Sequence, residues 1–198
     1  MSQRDDRIDS RRTDTRDRAV TVALELFARQ GYTATSLREI AERLGVTKAA
    51  LYFHFRTKEE ILTAILRGYL DGVNALVEAA EGPLEPDELI RGFAAHQQRW
   101  GIDLVLLVWQ NFTEIQDLPI GAEIRRTMRS LVDTLAPRGA DPVQRLRVRI
   151  ALSAFQIAAV TALVQDDGDE ASLREAALDL ALELLRGGRS EEQDPDHP

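Results

Sequence analysis

The chain contains no cysteine. Disulfides, thiolate nucleophiles and cysteine-ligated metals are therefore excluded. Histidine is scarce too. His54, His96 and His197 are widely separated along the chain, and His96 has no second histidine with which to build a metal site. There is no glycine-rich phosphate loop and no G-x-S-x-G segment. No enzyme activity, cofactor or metal is expected. No apolar run reaches about 18 residues, so no membrane span is expected. The N-terminus is polar and charged, without the apolar segment of a secretory signal, and a cytoplasmic location follows by default. Sustained period-2 alternation is missing as well, so strands are not expected. Hydrophobic residues make up 44% of the chain, enough for a core. The expected fold is all-α.

The most informative stretch is residues 36–58, SLREIAERLGVTKAALYFHFRTK. Leu37, Ile40, Ala41 and Leu44 fall at i, i+3, i+4 and i+7, which makes one face of a short helix apolar. Ser36 and Glu39 have capping-box spacing and fix its start. Gly45 can take the left-handed conformation that ends it, and Thr47 can cap the next helix. Two helices this short bury little alone. They make sense as a helix-turn-helix braced by neighbours, with the second helix offered to a DNA major groove.

The net charge of −8 argues against nucleic acid until it is divided. Residues 1–58 carry 12 Lys/Arg against 8 Asp/Glu, whereas residues 59–198 carry 13 against 25. The positive charge lies with the helix-turn-helix, where phosphates would be. The acidic remainder should be repelled by DNA, favouring one docking orientation.

With Leu24, Phe27, Gly31 and Tyr32 before it and Leu51-Tyr52-Phe53-His54-Phe55…Lys58 within it, this region resembles the DNA-binding segment of the TetR family of bacterial regulators. The likeness runs over residues 16–66. Lys48, Ala49 and Ala50 occupy the first turn of the recognition helix, the turn that meets base edges. Lysine can donate to guanine O6 and N7, and the alanines permit close approach to thymine methyls. The resemblance implies base reading at these positions. It also implies backbone contacts for Tyr52, His54 and Lys58, which would set register more than sequence preference. The residues also allow other roles: phosphate binding alone for Lys48, aromatic packing for Tyr52 and His54, a solvated charge for Lys58. Phe53 and Phe55 are candidates for core. Ser36 and Arg38 open the preceding helix. Ser36 and Thr47 are caps that can also meet the backbone, and Arg38 can reach phosphate or base.

The chain divides into a disordered tail (1–14), a DNA-binding domain (15–60), a helical effector-binding and dimerisation domain (61–188) and an acidic tail (189–198). The stripe Val20, Ala23, Leu24 and Phe27 predicts a helix over 15–30. A long helix after Thr57 should end before Gly82-Pro83. Further helices are expected near 87–100, 102–115 and 118–136, then from Pro142 to about Gln165, and over 171–186. The run Asp166–Glu170 reads as a loop, and Gly187-Gly188 as the end of the last helix. On that helix Leu173, Ala177, Leu180 and Leu184 form one stripe, and Leu178, Leu182 and Leu185 a second. A helix apolar on two stripes is buried on two sides. Small residues such as Ala154 and Ala158 on the preceding helix allow close approach. A two-fold, two-chain bundle is expected, as the resemblance also implies, with Ala154, Ala158, Leu178, Leu182 and Leu185 in the dimer interface; the alternative is that both stripes are internal core. Such symmetry calls for a pseudo-palindromic operator in double-stranded DNA. Phe93, His96, Trp100, Trp109, Phe112 and Phe155 are candidates to line an effector cavity, with Gln110, Asn111 and Glu114 as polar partners; the alternative is that the aromatics only pack as core and that His96 is a hydrogen-bonded core histidine.

The leading expectation is a homodimeric regulator, a repressor by family analogy, released by a small-molecule effector. The alternatives are a constitutive DNA-binding regulator without a ligand and an all-helical carrier or enzyme.

Overall fold

The computed structural model describes residues 2–80, 85–164 and 169–190, with side chains described from residue 15 to residue 187 within those ranges. Every regular element among them is a helix: α1 (Ser2–Gln30), α2 (Leu37–Leu44), α3 (Lys48–His54), α4 (Lys58–Ala80), α5 (Pro86–Gln110), α6 (Phe112–Asp117), α7 (Pro119–Leu135), α8 (Pro142–Val164) and α9 (Glu170–Ser190). The chain falls into two compact units. One is residues up to Tyr69 with Leu106–Ile120, and the other is Leu70–Val105 with Gly121 onward. The boundary expected after residue 60 therefore lies inside α4, which is continuous across the change of unit.

In the first unit α1, α2 and α3 pack on one another. α1 extends back to Ser2, well before the start expected at residue 15; no proline or glycine interrupts residues 1–30. Ala23, Leu24 and Phe27 are buried as their stripe predicts. The backbone at Gly31 is left-handed, with φ 91°, and stops the helix. The α2 caps form as expected. Glu39 N–H donates to Ser36 Oγ at 3.2 Å, and Ser36 N–H donates to Glu39 Oε2 at 2.7 Å. At the other end Gly45 has φ 74°, and Val46 N–H reaches the Ala41 carbonyl at 3.0 Å.

In the second unit the expected break between helices occurs at Gly101, where φ 68° interrupts α5. Beyond Val105 the chain belongs to the first unit again, and there the expected single helix over 102–115 is divided at Asn111, whose backbone leaves the helical region. Its side-chain amide donates to the Leu107 carbonyl at 2.8 Å, so the divided turn keeps a local partner. Pro142 opens α8 behind a reciprocal cap. Gln144 N–H donates to Asp141 Oδ1 at 2.8 Å, and Asp141 N–H to Gln144 Oε1 at 2.9 Å. α9 begins at Glu170 and runs through Gly187-Gly188 instead of ending there, and no left-handed φ occurs at Gly187. The helix end expected at Gly82-Pro83, most of the loop 166–170 and the tail from residue 191 lie outside the described residues.

By length and composition α8 is apolar enough to cross a membrane, with a mean hydropathy of 1.5, although no uninterrupted apolar run marks it in sequence. Three arginines lie in its first half. Its inner face packs on α9, where Ala154, Ala158 and Ala177 form a cluster flanked by Phe155 and Leu173. Helix packing accounts for that face.

α4 and α5 meet at a glycine. A Cβ built on Gly72 would lie 2.1 Å from His96 Cε1, so the buried imidazole occupies the space a side chain would take. Gly72→Ala should destabilise the protein by about 1–3 kcal/mol through overpacking. Thermal melts should show much of that loss recovered in Gly72→Ala/His96→Ala, and an additive double variant would show that the contact is not the cause.

Candidate DNA-binding face

α3 is short, and its sequence divides it cleanly. Leu51 and Phe55 point inward and are buried. Lys48, Ala49, Tyr52 and Phe53 form the outward face, with Tyr52 39% and Phe53 66% exposed. Thr47 caps the helix, accepting from Ala50 N–H at 3.2 Å. Ala50 and His54 are half-buried at the margins. Of the two phenylalanines offered as core, Phe55 is core and Phe53 is not. The Phe53 ring stands edge-to-face with His54 at 5.4 Å. Sequence reasoning had no outward role for Phe53. The signal lay in its i+1 relation to Tyr52, which places it beyond the buried Leu51–Phe55 side.

The remaining candidates surround this face. Ser36 is exposed and spends its oxygen on the α2 cap. That hydroxyl, then the Ser36 backbone N–H, holds the Glu39 carboxyl below the usual carboxylate range. The cap therefore contributes above that range and weakens as pH falls through the lowered value. Arg38 is exposed and paired with Glu42 at 2.7 Å. An exposed pair of this kind is weak and can be released to another anion.

Lys58 is engaged differently from the expectation. Its ammonium donates to the carbonyls of Tyr32 at 2.7 Å and Thr33 at 3.1 Å, and lies 4.8 Å from the centre of the Tyr32 ring. Tyr32 packs edge-to-face on Phe27 at 5.1 Å. Lys58 thus ties the start of α4 to the turn between α1 and α2. Arg16 lies over the Phe55 ring at 5.1 Å, and Arg18 reaches the Leu44 carbonyl at 3.5 Å, so α1 grips the ends of both α2 and α3.

The six effector candidates do not converge. Phe93 meets Phe155 edge-to-face at 5.9 Å, and His96 meets Trp100 at 6.5 Å. Trp109 and Phe112 belong to the other unit and are 66% and 58% exposed. A cavity of about 370 Å³ lies instead among α5, α8 and α9. Only Phe155 of the six lines it. Ala94, Ala95, Ile102, Val105 and Ala159 make most of its apolar wall, with Arg91, Gln97 and Arg174 also on its lining. Facing alanines leave volume here. Sequence reading assigns small residues to close helix approach, and that is why it misses the site.

The dimer candidates lie mostly inside the single chain. Ala154, Ala158, Leu182 and Leu185 are buried by their own chain, and Leu178 lines the cavity. The apolar residues left exposed on α8 are Val143, Leu146, Ile150, Ile157, Leu163 and Val164, with Leu180 on α9. Two-stripe burial of α9 is largely satisfied within one chain, so the outward seam lies mainly on α8.

Comparison with known proteins bears on the first unit above all. Residues 19–65 match the family model described as bacterial regulatory proteins, tetR family. Over these residues the helix-turn-helix is similar to that of the TetR family. The chain is 36% identical over 84 residues to the HTH-type transcriptional repressor KstR2 of Mycobacterium tuberculosis, covering 40% of this chain and 42% of that protein. It is 38% identical over 85 residues to the HTH-type transcriptional regulator AcrR of Shigella flexneri, covering 42% and 40%. The chain thus spans less than half the length of these curated relatives. Among solved structures, the TetR-family regulator PfmR of Thermus thermophilus is 29% identical, with a TM-score of 0.61 over 85% of this chain and 97% of that one.

Lys58→Met should lower the thermal midpoint, at a cost of about 1–2 kcal/mol for a half-exposed charged donor losing two carbonyls. Because the clamp is internal, Lys58→Arg should recover little. A melt unchanged by Lys58→Met would return Lys58 to the role of a free phosphate ligand.

Proposed function

We propose that the chain is a homodimeric, sequence-specific DNA-binding transcriptional regulator, a repressor released from its operator by a small molecule. The outward face of α3 carries this reading. A cation, a small residue and two aromatics project from a helix whose other side is locked into the TetR-type unit. Lys48 donates to a base edge, Ala49 admits close approach, and Tyr52 and Phe53 meet backbone or thymine methyl. Relatives named as repressors support the sign of regulation. A cytoplasmic location, the expectation from the sequence, accords with DNA binding.

The partner surface is the exposed seam on α8. Val143, Leu146, Ile150, Ile157 and Val164 recur at intervals of three, four and seven, one continuous stripe on a helix. A second copy would cover it by two-fold symmetry, which also matches a pseudo-palindromic operator. The cavity favours a ligand-responsive regulator over a constitutive one. Its size lies in the ~300–1,000 Å³ range of small-molecule sites. Its wall is mainly apolar, and Arg174 is already paired with Glu170. No charged side chain lining it is buried, so a compact, largely apolar, uncharged effector fits best.

Selection of bound sequences from a random DNA pool, repeated with a panel of apolar metabolites, tests the reading. The expected product is a two-fold symmetric site whose recovery falls with the effector. Lys48→Ala should relax preference at one position in each half-site, at about 1–3 kcal/mol per lost contact. A pool that stays random would reject DNA recognition, and a Lys48→Ala variant with the parent's base profile would reject the role of Lys48.

Ile157 is 62% exposed, so a charge there should leave the protomer folded. Ile157→Glu should nevertheless shift the sedimentation coefficient to that of a monomer, because symmetry buries the carboxylate twice. An unchanged dimer would move the interface elsewhere.

A further inference from the structure

Lys48 and Tyr52 are separated by four residues and so lie on the same side of α3, one turn apart. Helical side chains lean toward the N-terminus, so the Tyr52 ring covers the turn that bears Lys48. The Lys48 ammonium lies 5.2 Å from the centre of that ring, within cation–π range. Both side chains are exposed. Among the described residues no carboxylate pairs with Lys48. Lysine is a point charge on a four-carbon stem and carries much rotamer freedom. The ring restricts that freedom before any DNA is met, and restriction in advance lowers the cost of binding.

We infer that Tyr52 is a positioning residue for Lys48, setting base specificity through the lysine in addition to any backbone contact its hydroxyl makes. This rests on the reading of α3 as the DNA-reading helix. The two parts of Tyr52 then have separable effects. The hydroxyl contributes to affinity for every sequence. The ring contributes to discrimination at the base Lys48 reads. Phe retains the ring and Leu removes it.

The test uses the full chain and its own selected operator, together with operator variants changed one base at a time. Tyr52→Phe should weaken binding to all variants by a similar factor and leave the base preference intact. Tyr52→Leu should lose about two- to five-fold in discrimination at the position that Lys48→Ala relaxes, matching the strength of an exposed cation–π contact. In Tyr52→Leu/Lys48→Ala the discrimination should fall no further than in Lys48→Ala alone. Equal specificity profiles for Tyr52→Phe and Tyr52→Leu would overturn the proposal.

A second measurement needs no DNA. In the free protein the Lys48 Cε protons should be shifted upfield by the ring current. That shift should persist in Tyr52→Phe and vanish in Tyr52→Leu. Its absence from the parent protein would overturn the positioning role even if DNA binding is confirmed. A random selected pool with the ring-current shift present would instead reject the DNA-binding reading and leave the tether standing.

Discussion

A helix of seven residues cannot hold itself together in water, and α3 has seven. Everything the DNA-binding face can do depends on restraints applied to that helix from outside. Leu51 and Phe55 anchor one side in the core. Thr47 fixes the first turn, Arg16 covers Phe55, and the left-handed Gly45 sets the angle at which the chain enters from α2. The neighbouring turn is tied down by Lys58 through two carbonyls. Each restraint is modest in water. Together they fix which four side chains face outward, and side chains that must reach base edges tolerate little angular freedom.

Division of charge follows from the same requirement. A basic N-terminal segment and an acidic remainder give the molecule an electrostatic orientation that no short-range contact supplies. The cationic side chains nearest α3 are not all free for phosphate. Lys58 serves the fold, Arg38 is held by Glu42, and Arg16 lies over Phe55. Among the described residues Lys48 has no carboxylate or carbonyl partner and lies only over the exposed Tyr52 ring, which under the proposed reading leaves its ammonium available to a base edge. A count of basic residues would have overstated the number of phosphate ligands.

The local elements were highly legible in sequence and the surfaces much less so. Caps at Ser36–Glu39 and Thr47 are short-range chemistry, and both occur as their spacing implies. The stop at Gly31 and the break at Gly101 are of the same kind. Periodicity also found the buried residues of α2. It could not say which neighbour buries a face. For α9 the second apolar stripe pointed to another chain, yet Leu182 and Leu185 are covered by their own. Aromatic residues misled in a related way. Trp109 and Phe112 share a helical region with Trp100 but belong to the other unit, and the cavity is built from alanines that carry no distinctive signal. Sequence spacing sees one helix at a time, whereas a cavity is a property of several.

Three helices, α4, α5 and α7, carry the chain between its units, and the first two differ in kind. α4 runs unbroken from Lys58 to Ala80 and changes unit after Tyr69. α5 changes unit after Val105, four residues beyond the interruption at Gly101. Gly101, Ile102 and Val105 all line the cavity. Under the proposed reading, a molecule in that cavity touches the part of α5 where backbone continuity is already lost. Linkage demands only that the molecule bind more tightly to one arrangement of this joint than to another. A broken helix offers such alternatives at lower cost than an intact one, because no run of i→i+4 hydrogen bonds must be given up to change its angle. The glycine conformation at residue 101 is unavailable to other residues without strain, and under the proposed reading it leaves the cavity-lining part of α5 with a backbone joint where an intact helix would have none.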